Sequence, residues 1–443
     1  MENCFNVINF IQLSTWDINR IFQNDRLEGM VPLSSFLKQY QKVVSKEEAI
    51  DKHLYIVSKI SFGGTLYLND FDKIYTVKGS LYEIPKNAIT YSKINVRHGC
   101  CYWNTTSNSI LASSEYPTFI VDENKVLPEY LIMVLRHPRT LKQFNSKLRG
   151  FTKARVSVTE FLLTKIPLSS IERQRELVAQ YNALLNLAKD KENQAVTMEQ
   201  SIDDYLMAEL GIKENLPSTS NNLFQTVEYK NLDKWEINKN FFLSAKYNIV
   251  DFDKNSFLFT LFKRGKSPKY AGVSNCYAIN QKCVRLGYID LQYKKYIDEK
   301  WNDSINKDLK TKIGDILINS TGEGTIGRAA IVAQGQDNLV YDSHILNLRL
   351  NVQYLIPSFF VKIFNSPFVQ KQINLYKSGT STKQTELGVE NAKKIKFPLP
   401  PLNVQNQIVK EITFRKEQIK SLRKESEKLR LQAISDFEKE VFN

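Results

Sequence analysis

The sequence predicts an α+β chain in which two globular α/β domains stand in tandem pseudo-repeat, each followed by a long helix, the two helices pairing as an antiparallel coiled coil. Three observations predict it: a length of 443 residues, an internal repeat running from end to end, and a heptad stripe after each copy. A chain of this length exceeds one ordinary core and suits two or three. With 42% hydrophobic and 11% aromatic residues, each piece can bury a core of its own.

The repeat is read from punctuation. Lys165-Ile-Pro-Leu-Ser-Ser-Ile-Glu-Arg-Gln174 aligns with Lys396-Phe-Pro-Leu-Pro-Pro-Leu-Asn-Val-Gln405, so Pro167 matches Pro398 and Gln174 matches Gln405. Pro128, Pro138 and Gly150 match Pro357, Pro367 and Gly379, and Trp16-Asp-Ile-Asn19 matches Trp235-Glu-Ile-Asn238. Between these anchors the side chains mostly differ. One scaffold with divergent middles predicts two related tasks on two different targets.

After each proline-rich junction a heptad seam begins. In the first copy it runs Leu177, Tyr181, Leu184, Ala188, Lys191, Ala195, Met198, Ile202, Tyr205. In the second it runs Ile408, Ile412, Arg415, Ile419, Leu422, Ser426, Leu429, Ala433, Asp436. Both carry charged and polar residues on their remaining faces, so neither stripe is buried alone and each is expected to cover the other. The expected organisation is a first domain at 1–165, a helical region at 166–212, a linker at 213–222, a second domain at 223–395 and a second helical region at 396–443. Gly211 suits a helix C-cap, and Pro217-Ser-Thr-Ser-Asn-Asn suits a loop.

Sixty-one Lys and Arg against 47 Asp and Glu leave a net charge of +14, which favours a polyanionic partner. Ribosomal, RNA-binding and membrane-surface proteins share such a balance. The opening residues lack a signal-peptide pattern and no apolar stretch reaches ~18 residues, so no membrane contact and a cytoplasmic location are expected. Five cysteines without a C-x-x-C pair indicate small buried thiols rather than disulfides or a metal site.

No catalytic centre is visible. Gly322-x-Gly324-x-x-Gly327 follows an apolar strand and invites a dinucleotide reading, which needs a helix opening at the glycines. Ala329-Ala-Ile-Val-Ala333 is too short for that helix and reads as a second strand, so the glycines are expected in a strand-turn-strand loop at positive φ. Asp308-Leu-Lys310 lacks the Pro-Asp partner of a nuclease site, neither Asn-Pro-Pro-Tyr nor Asp-Pro-Pro-Tyr occurs, and the four histidines have no ligand spacing. The electrostatic pattern is more telling. Residues 130–159 contain Arg136, Arg139, Lys142, Lys147, Arg149, Lys153 and Arg155 and no acid; residues 343–385 contain Arg349, Lys362, Lys371, Lys377 and Lys383 and again no acid. A charge run usually marks a solvated face, but its recurrence at one place in the repeat points to phosphate.

The two proline-to-helix junctions resemble those of the specificity subunits of Type I restriction-modification enzymes. Tyr277-Ala-Ile-Asn-Gln281 through Gly287, and Gly314-Asp315 through Thr321-Gly-Glu-Gly-Thr-Ile-Gly327-Arg328, resemble motifs of that family's target-recognition domains. Tyr91-Ser-Lys-Ile-Asn95 through Gly99 is similar to the variant found where the glycine loop is missing, and the first copy carries Ser169-Ser170 where two prolines are commoner. The resemblance implies a non-catalytic DNA reader for an asymmetric bipartite target, on which two methyltransferase subunits and restriction subunits assemble. S-adenosylmethionine, ATP and magnesium are then expected on those partners, with no cofactor or metal in this chain. Candidate DNA contacts are Lys93, Arg97, Arg149, Lys153 and Arg155 in the first copy. In the second they are Thr321, Gly322, Gly324, Thr325, Arg328, Lys377, Thr380 and Lys383. Two other readings stay open: a basic coiled-coil scaffold for RNA or protein without base readout, and a fragment of a fused restriction enzyme.

Overall fold

The computed structural model describes residues 30–148, 154–214, 243–379 and 385–442. The chain forms two compact units, Met1–Asp190 with Glu425–Asn443, and Lys191–Lys424.

Among the described residues of the first unit, the two larger sheets hold nine strands, and Val31–Pro32 pairs with Lys165–Ile166 apart from them. Strands β1 (Leu37–Tyr40), β6 (Ile89–Tyr91), β7 (Cys101–Trp103) and β9 (Thr118–Val121) make an antiparallel sheet in the order β1-β9-β6-β7. Strands β2 (Val43–Val44), β3 (Ile56–Ile60), β4 (Leu66–Asn69), β5 (Leu81–Ile84) and β8 (Ile110–Ala112) make the other, ordered β2-β5-β8-β3-β4. Two helices follow, α1 (Pro128–Arg136) and α2 (Pro138–Ser146), each opened by proline in its first turn, where the missing N–H has no intrahelical partner to lose. Tyr91, Phe119, Phe144 and Phe161 form the aromatic centre, with Tyr91 and Phe161 stacked at 4.0 Å.

The second unit repeats this frame. Strands β10 (Phe259–Arg264), β13 (Ile316–Asn319), β14 (Ala329–Ile331) and β16 (Ile345–Leu350) are antiparallel in the order β10-β16-β13-β14. The four residues of β13 are all buried: Ile316 and Ile318 pack into one core cluster, Leu317 into another, and Asn319 donates to Gln281 O at 3.0 Å. A three-stranded sheet, β12-β11-β15, comprises β11 (Tyr277–Ile279), β12 (Lys295–Tyr296) and β15 (Val340–Tyr341). Helices α4 (Pro357–Phe364) and α5 (Pro367–Tyr376) again start at proline, and Phe252 packs against Phe259, Phe262, Phe360 and Phe397. Also in the second unit, the segment expected as a plain linker begins as a short strand: Lys213–Glu214 pairs with Leu243–Ser244. Residues 215–222 lie outside the described residues, as do the Trp16 and Trp235 anchors.

The repeated glutamines have a structural cause. Gln174 is fully buried; its Oε1 accepts from the Leu127 amide at 2.8 Å while Nε2 donates to Lys125 O and Ser169 O at 3.0 and 2.8 Å. Gln405 does the same with Ile356 N, Tyr354 O and Pro400 O at 2.8, 2.8 and 2.9 Å. Each side chain satisfies backbone groups that burial would otherwise leave orphaned.

The long helices are α3 (Ile171–Leu210) and α6 (Leu402–Phe442). Gly211, at φ +60°, closes α3 as expected. Within the first unit Ser426 donates to the Ala188 carbonyl at 2.7 Å; within the second, Arg415 donates to the Ser201 hydroxyl at 3.2 Å and Arg423 to Glu199 at 2.7 Å. Residue numbers rise on one helix as they fall on the other, so the pair is antiparallel. Leu177, Ala188, Ala195, Ile408, Ile412, Ile419, Ser426 and Ala433 are buried along the expected seam. Its final position is corrected: Asp436 is exposed and Phe437 takes the buried place, followed by Val441. Two successive steps of four follow the ~3.6-residue turn of a straight helix rather than the 3.5 of a supercoil. The same shift buries Leu206 and Leu210 and leaves Tyr205 half-exposed.

Candidate nucleic-acid interface

The loop joining β13 to β14 is a strand-turn-strand. Gly322, Gly324 and Gly327 lie at φ +98°, +75° and +80°, a region that disfavours side-chain-bearing residues. A Cβ on Gly327 would come within 2.6 Å of Ile373 on α5, so that glycine also permits close packing. No helix opens at these glycines, and the dinucleotide geometry is absent. The first unit places residues 92–100, joining β6 to β7, at the corresponding site, with Gly99 at φ +78°. Both loops are held by the chain that follows the paired helices: Val156 N donates to Lys93 O at 2.9 Å, and Leu387 N to Ser320 O at 2.8 Å. Both following strands are clamped from a helix end, Cys101 O by Arg136 at 2.8 Å and Ala329 by Asn365, which exchanges two hydrogen bonds with its backbone at 2.9 and 2.8 Å.

Beside the second unit's loop is a polar cleft of about 440 Å³. Thr321, buried at its mouth, shares its hydroxyl with Gln281 Oε1 at 3.2 Å and His344 Nδ1 at 2.8 Å. Asp342 lies below, its carboxyl pushed upward in pKa by burial, while the His344 amide, donating at 2.9 Å, opposes that shift. Tyr270 and Lys295 form another wall, the lysine ammonium 4.9 Å from the ring centroid. Nearby, Lys294 lies 3.9 Å from the Tyr277 ring and Arg285 4.5 Å from that of Tyr293. Amide, hydroxyl, imidazole and carboxylate thus present both donors and acceptors within a rim of cation-aromatic pairs, the chemistry needed to meet base edges and phosphates.

The structure brings Thr321, Gly322 and Thr325 together; Thr325 donates within the turn, and Arg328 donates to Gly324 O at 2.9 Å. Lys93 and Arg155 converge on one turn, Lys93 donating to Ser114 O at 2.7 Å and Arg155 making a two-pronged pair with Glu115 at 3.1 and 3.2 Å. Arg97 donates to the His98 ring at 3.1 Å. Lys377 caps the end of α5, apart from the cleft's lining. Arg149, Lys153, Thr380 and Lys383 lie outside the described residues.

The basic windows are less available to phosphate than their composition suggests. Arg136 is spent on Gly64 O and Cys101 O, Lys147 on Glu160 O and Thr164, and Arg349 on the buried Asp315. The cleft residues Tyr270, Lys295, Asp342 and His344 were not singled out by sequence reasoning. The alternation in Tyr293-Lys-Lys-Tyr296 was the available signal. Among the described residues no three metal-ligating side chains gather, and no helix is long and apolar enough to cross a membrane.

The chain thus combines a duplicated α/β frame, different loops at one place in each copy and an antiparallel helix pair. The sequence profile described as Type I restriction modification DNA specificity domain matches residues 36–198 and 294–430, well over half the chain, and the chain belongs to this family of non-catalytic specificity subunits. A Methanocaldococcus jannaschii protein named as the MjaX type I restriction enzyme specificity subunit is 31% identical over 123 residues, 28% of each chain; the match thus spans little more than a quarter of that relative. A chain solved in work on complex assembly and conformational transition of the type I R-M system shares the fold, with a TM-score of 0.58 over 93% of this chain and 96% of that one at 14% identity. The HsdS subunit from Thermoanaerobacter tengcongensis gives a TM-score of 0.49 at 14% identity over 93% and 95%.

Proposed function

We propose that this chain reads a bipartite, asymmetric sequence in double-stranded DNA, one half-site per domain. It would hold two methyltransferase subunits, and with them restriction subunits, on that site. The observation that supports this is one frame carrying two different loops: Thr321-Gly-Glu-Gly-Thr-Ile-Gly327 with its polar cleft in one copy, and Lys93-Ile-Asn-Val-Arg-His-Gly99 in the other. Different donors and acceptors at equivalent places recognise different bases, whereas lysines and arginines supply affinity common to all sequences. S-adenosylmethionine, ATP and magnesium belong, in this reading, to the partner subunits, and the complex works on DNA in the cytoplasm.

The test is methylation sequencing in cells supplied with the partner subunits, using a chain lengthened by one heptad in each long helix at the level where Ala188 meets Ser426. Seven residues add ~10 Å, about three base pairs of rise. The gap should grow by that amount while both half-sites stay unchanged. A second chain, Thr321→Val, should relax only one half-site. An altered half-site with an unchanged gap on lengthening, or methylation without base preference, overturns the reading; the latter is the result expected of a scaffold without base readout.

A further inference from the structure

We propose that Phe62 is a wedge that enters the base stack of the half-site read by the first domain; this rests on the DNA-reading function proposed above. The hairpin joining β3 to β4 ends in Ser61-Phe62-Gly63-Gly64-Thr65, and the Phe62 side chain at its tip is 68% exposed. An aromatic ring of this size is normally covered. Its ring meets that of His98 at 4.5 Å, on the very loop that carries Lys93 and Arg97.

The tip is stiff. Ser61 N donates to Thr65 O at 2.8 Å, Gly64 N to Ser61 O at 2.9 Å and Thr65 N to the Ser61 hydroxyl at 3.0 Å. Gly63 N ties the tip to His98 O at 3.2 Å, and Arg136 braces it from beneath by donating to Gly64 O at 3.2 Å. Gly63 and Gly64, at φ +85° and +93°, let the chain turn this tightly and leave no side chain beside the ring. A ring held out on a braced tip loses little conformational freedom when it inserts.

Charge selects the occupant. Residues 54–69 and 91–114 contain no acid, and the hairpin carries Lys59, its ammonium 4.6 Å from the centroid of the half-exposed Tyr67 ring. An exposed apolar ring on segments that carry lysine and arginine and no acid fits a polyanion with apolar faces inside, which is the description of stacked base pairs between phosphates. Apolar side chains inserted between base steps unstack and kink a duplex.

The full chain with its methyltransferase partners is titrated onto duplexes carrying the target found by methylation sequencing, with 2-aminopurine placed in turn at each position of the first domain's half-site and its flanks, except at and beside the adenine that the methyltransferase extrudes. Wild type should brighten one step or two adjacent steps severalfold. Phe62→Ala should abolish the brightening and weaken binding roughly 10- to 100-fold, the loss of one aromatic stack. Phe62→Leu should keep part of it, which guards against a misfolded alanine variant, and Arg97→Ala should weaken binding while the saturated complex still brightens. Specific binding by wild type with every 2-aminopurine still stacked, or brightening that survives in Phe62→Ala, overturns the wedge and leaves the DNA-reading function standing. Equal binding to target and random duplex overturns both.

Discussion

Arg349 sits in a window whose composition suggests phosphate contact, yet its guanidinium holds a carboxylate inside the protein. Nε and Nη2 donate to the two oxygens of Asp315, both at 2.7 Å, and Asn347 and the Lys312 amide complete that carboxylate's shell at 3.0 and 2.9 Å. The Asp315 side chain is 1% exposed and that of Arg349 20%, so solvent screens the pair little. Removing the cation alone leaves a buried charge uncompensated, which costs about 3–5 kcal/mol. Arg349→Met should therefore lower the melting temperature of the second unit by roughly 6–20 °C, at ~2–4 °C per kcal/mol for a domain of this size. Thermal unfolding, with hydrogen exchange in β13 as the local readout, measures this. Asp315→Leu in the same chain should recover part of the loss, because a neutral pair no longer needs the charge. If Arg349→Met melts as wild type and instead flattens the salt dependence of DNA binding by about one phosphate, the arginine faces DNA and the argument is wrong.

Gln405→Ala removes three buried hydrogen bonds at the entry to α6 and should cost about 2–4 kcal/mol in denaturant titration, with Gln174→Ala costing a similar amount in the first unit. Burial lowers the Lys362 pKa to about 8, with Lys416 adding repulsion. Unfolding restores the ordinary value near 10.5, so the unfolded chain binds the extra proton and stability rises with pH between about 8 and 10.5. Lys362→Met should therefore stabilise the chain at pH 7 by about 1–2 kcal/mol once screening is allowed for, and the difference should vanish by about pH 10.5.

What the sequence made legible was periodic or punctuated. Paired prolines opened paired helices, the glycines of 322–327 turned between two strands, and the heptads found each other, because each of these follows from local backbone and burial rules. The identity of ionic partners was hidden. Arg349 meets Asp315, Arg155 meets Glu115 and Arg136 meets two carbonyls, all through strand order rather than spacing along the chain. The cleft was hidden for the same reason: Tyr270, Gln281, Thr321 and His344 come from separate segments and converge only when β11, β13, β15 and β16 assemble.

The displaced end of the second seam carries a consequence for how the repeat is built. Phe437 is 6% exposed in the core of the first unit, its ring 5.9 Å from those of Tyr130 and Tyr181, yet it lies in the helix that follows the second copy. Leu206 and Leu210, at the matching positions of α3, belong to the core of the second unit, although their helix follows the first copy. Each core is thus completed by the helix that leaves the other copy, so neither copy's sequence closes its own core. Phe437→Ala removes a buried ring and should cost about 3–5 kcal/mol. That loss should appear as faster hydrogen exchange in α1 and β6, roughly 300 to 350 residues away in sequence, with β13 unchanged. Leu206→Ala should do the reverse, loosening α4 and β13 while α1 stays protected. If Phe437→Ala merely frays the end of α6 and leaves exchange in α1 at the wild-type rate, the exchanged helix ends are decoration rather than part of the two cores.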